Sequence, residues 1–227
     1  MGINIHGTDA PVIPDFDAQA HPDAMPKIIP RAPDAADNAW PSGDDNATNG
    51  SPGMGGQQGF TGENGLNGGN TPPNIRIHIT TFIDGFFDVI VRGGNAARGQ
   101  RGSIGGQGGE AQDGGNGDGD LSAGSGGTGG SGGKGGKGGN GGNGGSASNI
   151  DLYIENPNDI DLNNVRIDFS QGFKGGKGPG GAGGSGGIGG TSGEGGARST
   201  SGSQGPEGDP GDLAGEDGSA GSLDIWV

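Results

Sequence analysis

The sequence predicts a mostly β and irregular fold. Short antiparallel β-strands anchor a bundle of polyglycine-II helices with three residues per turn, and there is essentially no α-helix. Glycine accounts for 62 of the 227 residues, about four times its usual share. Long stretches repeat glycine at every third position, and six short segments alternate apolar with polar residues. With only 26% hydrophobic residues, a conventional globular core cannot account for the whole chain.

Six segments of about five residues have the alternation typical of strands with one buried face. Their apolar residues are Ile3/Ile5, Ile75/Ile77/Ile79, Phe87/Val89/Val91, Ile150/Leu152/Ile154, Val165/Ile167/Phe169 and Leu223/Ile225/Val227. No amphipathic helix is available to cover these apolar faces. We therefore expect the sheets to face each other, to close into a barrel or to pair with another subunit.

Between the strands, the period of three predicts helices of polyproline-II geometry. Much of the pattern is Gly-Gly-X, and proline is only 14 of 227 residues, which excludes collagen. Such helices have no internal hydrogen bonds, so each buried N–H must find a partner on a neighbouring helix. Two glycines per turn allow backbones to approach. The third residue, such as Lys134 or Asn140, then points to water.

Strand spacing predicts three repeats that together form one elongated domain: 1–81, 82–155 and 156–227. Each repeat consists of a strand, a glycine-rich excursion and a second strand. The excursions span 7–73, 93–148 and 171–221. Asp84-Gly85 is predicted to form a hairpin turn between the first two repeats, and residues 156–159 the second connection. The distal turns are predicted at 110–125 and 192–201.

The outgoing part of the first excursion is rich in proline. Proline favours polyproline-II geometry but lacks an N–H donor, which predicts that this arm covers an edge of the bundle. A disordered N-terminal linker is the alternative interpretation. A second glycine phase begins at Gly215.

Charge and composition exclude several functions. The net charge of −15 disfavours nucleic acid and anionic lipid as partners. The chain has no cysteine, so disulfides and thiolate metal sites are excluded. No signal-peptide pattern and no apolar run of membrane-spanning length occur, so we expect no membrane insertion. The three histidines are scattered and no catalytic constellation emerges, which predicts that the protein is not an enzyme.

Two groups of polar residues are candidate sites. Carboxylates clustered at the second distal turn are candidate calcium ligands: Glu110, Asp113, Asp118 and Asp120. A solvated acidic surface is the alternative, and no other cofactor is expected. Four residues at the third distal turn have hydrogen-bonding groups suited to glycans or polar surfaces: Arg198, Ser199, Thr200 and Ser201. An ordinary polar turn is the alternative there.

The Gly-Gly-X runs at 126–146 and 175–190 resemble those of polyglycine-II proteins. These include phage tail-fibre tip adhesins, springtail antifreeze proteins and bacterial collagen-like glycine-rich proteins. The resemblance to the adhesins implies receptor binding by loops at the ends of the bundle. The resemblance to the antifreeze proteins implies ice binding by a flat face of small residues.

The predicted function is therefore a non-catalytic structural or adhesive module of a fibre, virion or cell surface. We expect it to be extracellular or surface-located, and to associate with itself or a fibre partner through strand edges at 2–6 and 222–227. Surface glycans are the other expected partner. An ice-binding protein and a calcium-stabilised extracellular scaffold are the alternatives.

Overall fold

The computed structural model describes residues 2–15, 32, 34, 44–80, 86–156 and 162–227. All six predicted segments form strands in it. They are β1 Gly2–His6, β2 Asn74–Ile79, β3 Phe87–Arg92, β4 Asn149–Ile154, β5 Val165–Asp168 and β6 Leu223–Trp226. The described residues contain no α-helix, only the short 3₁₀ turns Leu162–Asn164 and Gly193–Gly195. The mostly β and irregular fold class is therefore confirmed.

The strands pair in parallel, so the predicted antiparallel arrangement is wrong. One sheet has the order β1-β3-β5 and the other the order β2-β4-β6. Each pairing within a sheet is parallel and in register, for example Ile75 with Ile150 and Ile150 with Leu223. The physical reason is that each excursion leaves from one sheet and returns to the other. The strands within a sheet therefore all run in the same direction.

The predicted hairpin between the first two repeats is also wrong, because β2 and β3 belong to different sheets. The connection after β2 therefore passes from one sheet to the other. Asp84-Gly85 and residues 157–159 lie outside the described residues. The repeat boundaries at 81/82 and 155/156 stay a prediction.

The hydrophobic core lies between the two sheets, which face each other as one of the sequence alternatives predicts. Val89 and Leu152 are fully buried at its centre, one from each sheet. Side chains of the edge strands, such as Ile3 and Val165, are partly buried around it. Fully burying one such side chain stabilises the folded state by roughly 1.5–3 kcal/mol. This small sandwich contains most of the buried apolar side chains of the described residues.

In the described residues, the glycine-rich excursions form extended arms held together by backbone hydrogen bonds. On the second return arm (122–148), every third N–H donates to the third return arm (198–222). The donors and acceptors rise together: Gly129 to Thr200, Gly132 to Ser203 and Gly135 to Pro206, at 3.0, 2.8 and 2.9 Å. Donor and acceptor each advance by three residues from one hydrogen bond to the next, which requires helices with three residues per turn. The predicted bundle is confirmed.

The arms form two layers that continue the two sheets. The outgoing layer follows β1, β3 and β5 and consists of residues 7–15 with 32 and 34, then 93–117, then 169–192. The return layer leads into β2, β4 and β6 and consists of residues 44–73, 122–148 and 198–222. Between layers the arms are antiparallel. Their acceptors descend as the donors rise: Gly130 to Gly109, Gly133 to Gly106 and Gly136 to Ser103.

Most residues at which two arms meet are glycines with no space for a side chain. A Cβ at Gly132 would lie 1.9 Å from the carbonyl oxygen of Gly184, and a Cβ at Gly133 would lie 1.8 Å from that of Gln57. On the second return arm, two of the three residues in each turn therefore face a neighbouring backbone. Only the third residue of these turns has space for a side chain.

The distal turns are tighter than predicted. Bundle hydrogen bonds continue through Gly115 and resume at Gly124, so only residues 116–123, which include the bridge between Asp118 and Leu121, depart from the pattern. The predicted turn at 110–125 is too long because Asp113 leaves the Gly-Gly-X pattern but keeps the bundle geometry. Its Oδ1 accepts the N–H of Thr191 at 2.6 Å. The third turn, predicted at 192–201, is centred on Gly193–Gly195, and bundle bonding resumes at Ser199.

The second glycine phase is accommodated as a local bulge in the third return arm. Gly211 donates to Gly178 and Gly215 to Gly175. Four residues on the return arm therefore match three on the outgoing arm.

The first outgoing arm lies along the second one in its described part. Ala10 donates its N–H to Asn95 at 2.8 Å, and the carbonyl of Pro14 accepts from Gln100 Nε2 at 2.7 Å. This placement agrees with an edge-covering role for residues 7–15. Four of its prolines, Pro22, Pro26, Pro30 and Pro33, lie outside the described residues.

An ion pair joins the ends of β3 and β5, where two outgoing arms begin. Arg92 Nε–H donates to Asp168 Oδ2 at 2.8 Å, and a second guanidinium N–H donates to the same oxygen. This hydrogen bonding lowers the pKa of the Asp168 carboxyl to about 2 and raises the pKa of Arg92. The Asp168 side chain is 35% exposed, so solvent screening keeps the contribution of the pair to stability small.

This pair predicts a pH-dependent difference between wild type and Asp168→Asn. Because the folded pKa lies below the unfolded value of about 3.9, the stabilisation is complete above that value. It should disappear as the pH falls from about 4 to about 2. Urea unfolding at pH 6 and pH 2 measures the difference in free energy of unfolding. A difference of the same size at both pH values would contradict the assignment.

Candidate functional site: the outer face of the return layer

The return layer presents one side chain per turn on its outer face, and the face continues onto the sheet β2-β4-β6. The second return arm supplies the central column of this face: Ser125, Thr128, Ser131, Lys134, Lys137, Asn140, Asn143 and Ser146. Because the other two residues of each turn are buried glycines, these positions are where the sequence can vary without disturbing the bundle.

Asparagine side chains tie neighbouring arms together across this face. Asn64 Oδ1 accepts the N–H of Asn140 at 2.9 Å, and Asn140 Oδ1 accepts the N–H of Leu213 at 3.0 Å. One turn further on, Asn67 Oδ1 and Asn143 Oδ1 accept in the same way. The donors are outward-facing N–H groups that make no backbone hydrogen bond to another arm. The asparagine oxygens therefore satisfy them.

In the outgoing layer, side-chain oxygens also accept backbone N–H groups of the neighbouring arm. Asp9 Oδ1 accepts from Asn95 N–H at 2.6 Å, and Asn95 Oδ1 accepts from Phe173 N–H at 2.9 Å. These rows were not predicted from the sequence. The available signal was the recurrence of Asn-Gly at one phase of the period, as in Asn64-Gly65 and Asn140-Gly141.

The middle of the face carries ion pairs between the second and third return arms. Lys134 Nζ lies 2.7 Å from Asp209 Oδ2, and Lys137 Nζ lies 2.6 Å from Asp212 Oδ2. The hydrogen bond from Lys134 lowers the pKa of Asp209. These lysines therefore bind neighbouring carboxylates rather than simply pointing to water. Their bulk interrupts the flatness of the face.

The distal part of the face is made of small exposed residues. Successive rows across the three arms are Pro52, Thr128 and Thr200, then Gly55, Ser131 and Ser203. The arms are held at fixed separation by backbone bonds, so the hydroxyl groups of these rows repeat with the period of the bundle.

The basal part of the face is aromatic. His78, Tyr153 and Trp226 stand opposite one another on β2, β4 and β6. The Tyr153 and Trp226 rings are nearly parallel, with centroids 5.9 Å apart. The His78 ring packs edge-on against the Tyr153 ring, with 6.3 Å between their centroids. Arg76 Cζ lies 5.4 Å from the Tyr153 ring centroid, close enough for a cation–π contact.

The predicted binding residues of the third turn are only partly presented to solvent. Thr200 lies on the distal face beside Thr128, and Ser201 is exposed. Ser199 Oγ is already used, because it donates to the carbonyl of Gly126 at 2.6 Å. Arg198 is exposed and pairs through its backbone with Thr191. These four residues do not converge on one pocket.

The structure does not bring the predicted calcium ligands together. Glu110 and Asp113 lie one turn apart on the second outgoing arm, while Asp118 and Asp120 lie in the distal turn. No group of three or more His, Asp or Glu side chains in the described part of the chain is arranged to hold a metal ion. Calcium binding therefore stays a prediction.

Within the same described ranges, no helix has the length and apolar character needed to cross a membrane.

Comparison with known proteins does not assign the chain to a family. No family model and no curated protein matches the chain. Among solved structures, it is similar to the nine polyproline type II helical bundle springtail antifreeze protein from Granisotoma rainieri. The identity is 23% over 86% of this chain and 94% of that one, with a TM-score of 0.14. A TM-score of that size carries no inference about shape or function.

Proposed function

We propose that the protein is a non-catalytic structural and adhesive module of a fibre, virion or cell surface. The observation that carries this proposal is the hydrogen-bond network that joins the arms in the described residues. Backbone groups of each arm bind neighbouring arms, as Gly133 N–H does with Gly106 at 2.8 Å. At about 3.1 Å per residue, arms such as 93–117 make a rod of roughly 70–75 Å.

Such a rod holds outward side chains in fixed rows. Rows of this kind suit recognition of an extended surface, because many weak contacts can act together without ordering a flexible loop. We place the module outside the cell or on a virion, where a rigid spacer has a use.

Self-association is the second part of the proposal, and it involves the open side of the sandwich. The edge strands β5 and β6 border an apolar groove of about 290 Å³ lined by Leu152, Val165, Ile167, Phe169, Leu223 and Ile225. The arms beside it are less suited to a second copy. Pro210 lacks an N–H, and Asp217 Oδ1 already accepts the N–H of Lys174 at 2.9 Å. A strictly monomeric protein at high concentration by light scattering would contradict this part.

The adhesive proposal predicts binding that depends on the folded bundle. Fluorescently labelled protein is incubated with a panel of bacterial cells and polysaccharide-coated beads. Retention is compared with that of the bundle-disrupting variant Gly133→Ala. We expect the wild type to be retained on at least one surface and the variant to be washed away. Equal retention of the two, or no retention on any surface, would count against adhesion.

Ice binding is the second candidate, favoured by the distal rows of small residues that include Thr128 and Thr200. A regular array of hydroxyl and methyl groups is chemically compatible with an ice surface. The ion-paired lysines interrupt the same face, which makes this candidate weaker. Thermal hysteresis in dilute solution, abolished by Thr128→Lys, would favour ice binding over adhesion. Its absence in the wild type would remove the candidate.

A further inference from the structure

The aromatic row at the base of the return face has an open side. β6 is the edge strand of its sheet in the described part of the chain, and Trp226 is 53% exposed there. One face of its indole stacks on the Tyr153 ring. Because β6 is at the edge, no described strand lies beside the other face. A large aromatic ring left this exposed beside partly covered neighbours is typical of a binding surface rather than of a core.

Polar groups border the ring. A shallow depression of about 210 Å³ is lined by His78, Tyr153, Ile154, Glu155, Trp226 and Val227. The Glu155 carboxylate is 53% exposed and lies 3.5 Å from His78 Nε2. The depression therefore combines a flat apolar floor with a carboxylate acceptor and an imidazole at its rim.

This combination matches the two sides of a sugar ring. The face of an aromatic ring carries negative charge density, which attracts the polarised C–H groups on one side of a pyranose. The hydroxyl groups at the sugar's edge can then donate to Glu155 or exchange hydrogen bonds with His78. About 210 Å³ has room for one hexose unit of a longer chain.

A cationic ligand fits less well. Recognition of quaternary ammonium groups uses several aromatic faces that converge on one point. Here the Tyr153 and Trp226 rings are nearly parallel, so one covers the other, and Arg76 already places a positive charge near Tyr153. A single open ring face with a polar rim favours a neutral ligand.

We propose that His78, Tyr153 and Trp226 form a platform for neutral hexose units of a surface glycan, with Glu155 as the hydrogen-bonding group at its rim. This inference rests on the proposed adhesive function and moves its recognition site from the distal turns to the base of the bundle. Trp226 supplies the stacking face, and Tyr153 holds the indole in place.

The test uses neutral oligosaccharides as probes: hexamers of glucose with α-1,4, β-1,4 and β-1,3 linkages, and the corresponding mannose and galactose oligomers. Isothermal titration calorimetry measures binding to wild type, Trp226→Ala, Trp226→Phe and Phe173→Ala. Phe173 is the matched control because it is 67% exposed but lies on the outgoing layer. Circular dichroism confirms that each variant is folded.

We expect at least one oligosaccharide to bind, and Trp226→Ala to weaken it roughly tenfold or more, in line with the loss of one stacking contact. Trp226→Phe should retain most of the affinity and Phe173→Ala all of it. Binding of trimethyl-lysine in place of the sugars, equal losses in Trp226→Ala and Phe173→Ala, or no binding by any oligosaccharide would each overturn the platform.

The platform and the adhesive function can fail separately. If Trp226→Ala protein adheres to cells as well as wild type, the platform is wrong and adhesion stands. If the oligosaccharides bind through Trp226 but no cell or bead retains the protein, the platform stands and adhesion is wrong.

Discussion

Replacing Gly133 with alanine is expected to destabilise the protein by more than about 3 kcal/mol and to leave little folded bundle, because the new methyl group has no space. Its Cβ would lie 1.8 Å from the carbonyl oxygen of Gln57 and 2.5 Å from the carbonyl carbon. Both are backbone atoms, so no side chain can rotate away. The first and second return arms would have to separate, with loss of neighbouring bonds such as that from Gly59 N–H to Lys134 O at 2.8 Å.

Gly55→Ala is the matched control. Gly55 lies on the exposed side of the first return arm, and the atom nearest to its new methyl group would be Ser131 Oγ at 3.7 Å, an ordinary contact. Both substitutions reduce the flexibility of the unfolded chain equally, so their difference isolates the packing effect. Urea unfolding and amide exchange of glycines 126–145 measure it. Similar stability of the two variants would contradict the close packing.

Local features of the chain were predictable because they depend on local periodicity. Alternation at Ile75/Ile77/Ile79 identifies a strand, and the period of three identifies the arms. His78 occupies a polar position of that alternation, and its side chain is 57% exposed. Strand direction was not predictable, because a period of two is the same in parallel and antiparallel sheets. It depends on which sheet each excursion returns to.

The candidate site was less predictable than the fold. His78, Tyr153 and Trp226 come from three strands about 75 residues apart in sequence, so no local pattern joins them; the register of the sheet does. The asparagine rows also join residues from different arms, so they depend on the register between arms and not on a local pattern. By contrast, the predicted sites at the distal turns rested on local composition. The structure spreads those residues along arms and tight turns.

Replacing Leu152 with alanine should destabilise the protein by about 2–5 kcal/mol. Leu152 is fully buried on the central strand β4, with Ile77 and Ile225 opposite it on the neighbouring strands. Its removal leaves a cavity between the two sheets. Ile225→Ala is the control, since Ile225 lies on the same face of the sheet but is 43% exposed, and about 1 kcal/mol or less is expected there.

The Leu152 variant also tests whether the sandwich and the bundle fold together. The second return arm runs directly into β4, so the strand fixes the register in which its glycines meet their neighbours. Cavity formation near Leu152 should therefore accelerate amide exchange in glycines 129–145 as much as in the strands, if unfolding is cooperative. Faster exchange in the strands with unchanged protection of those glycines would mean that the bundle is stable without its hydrophobic anchor.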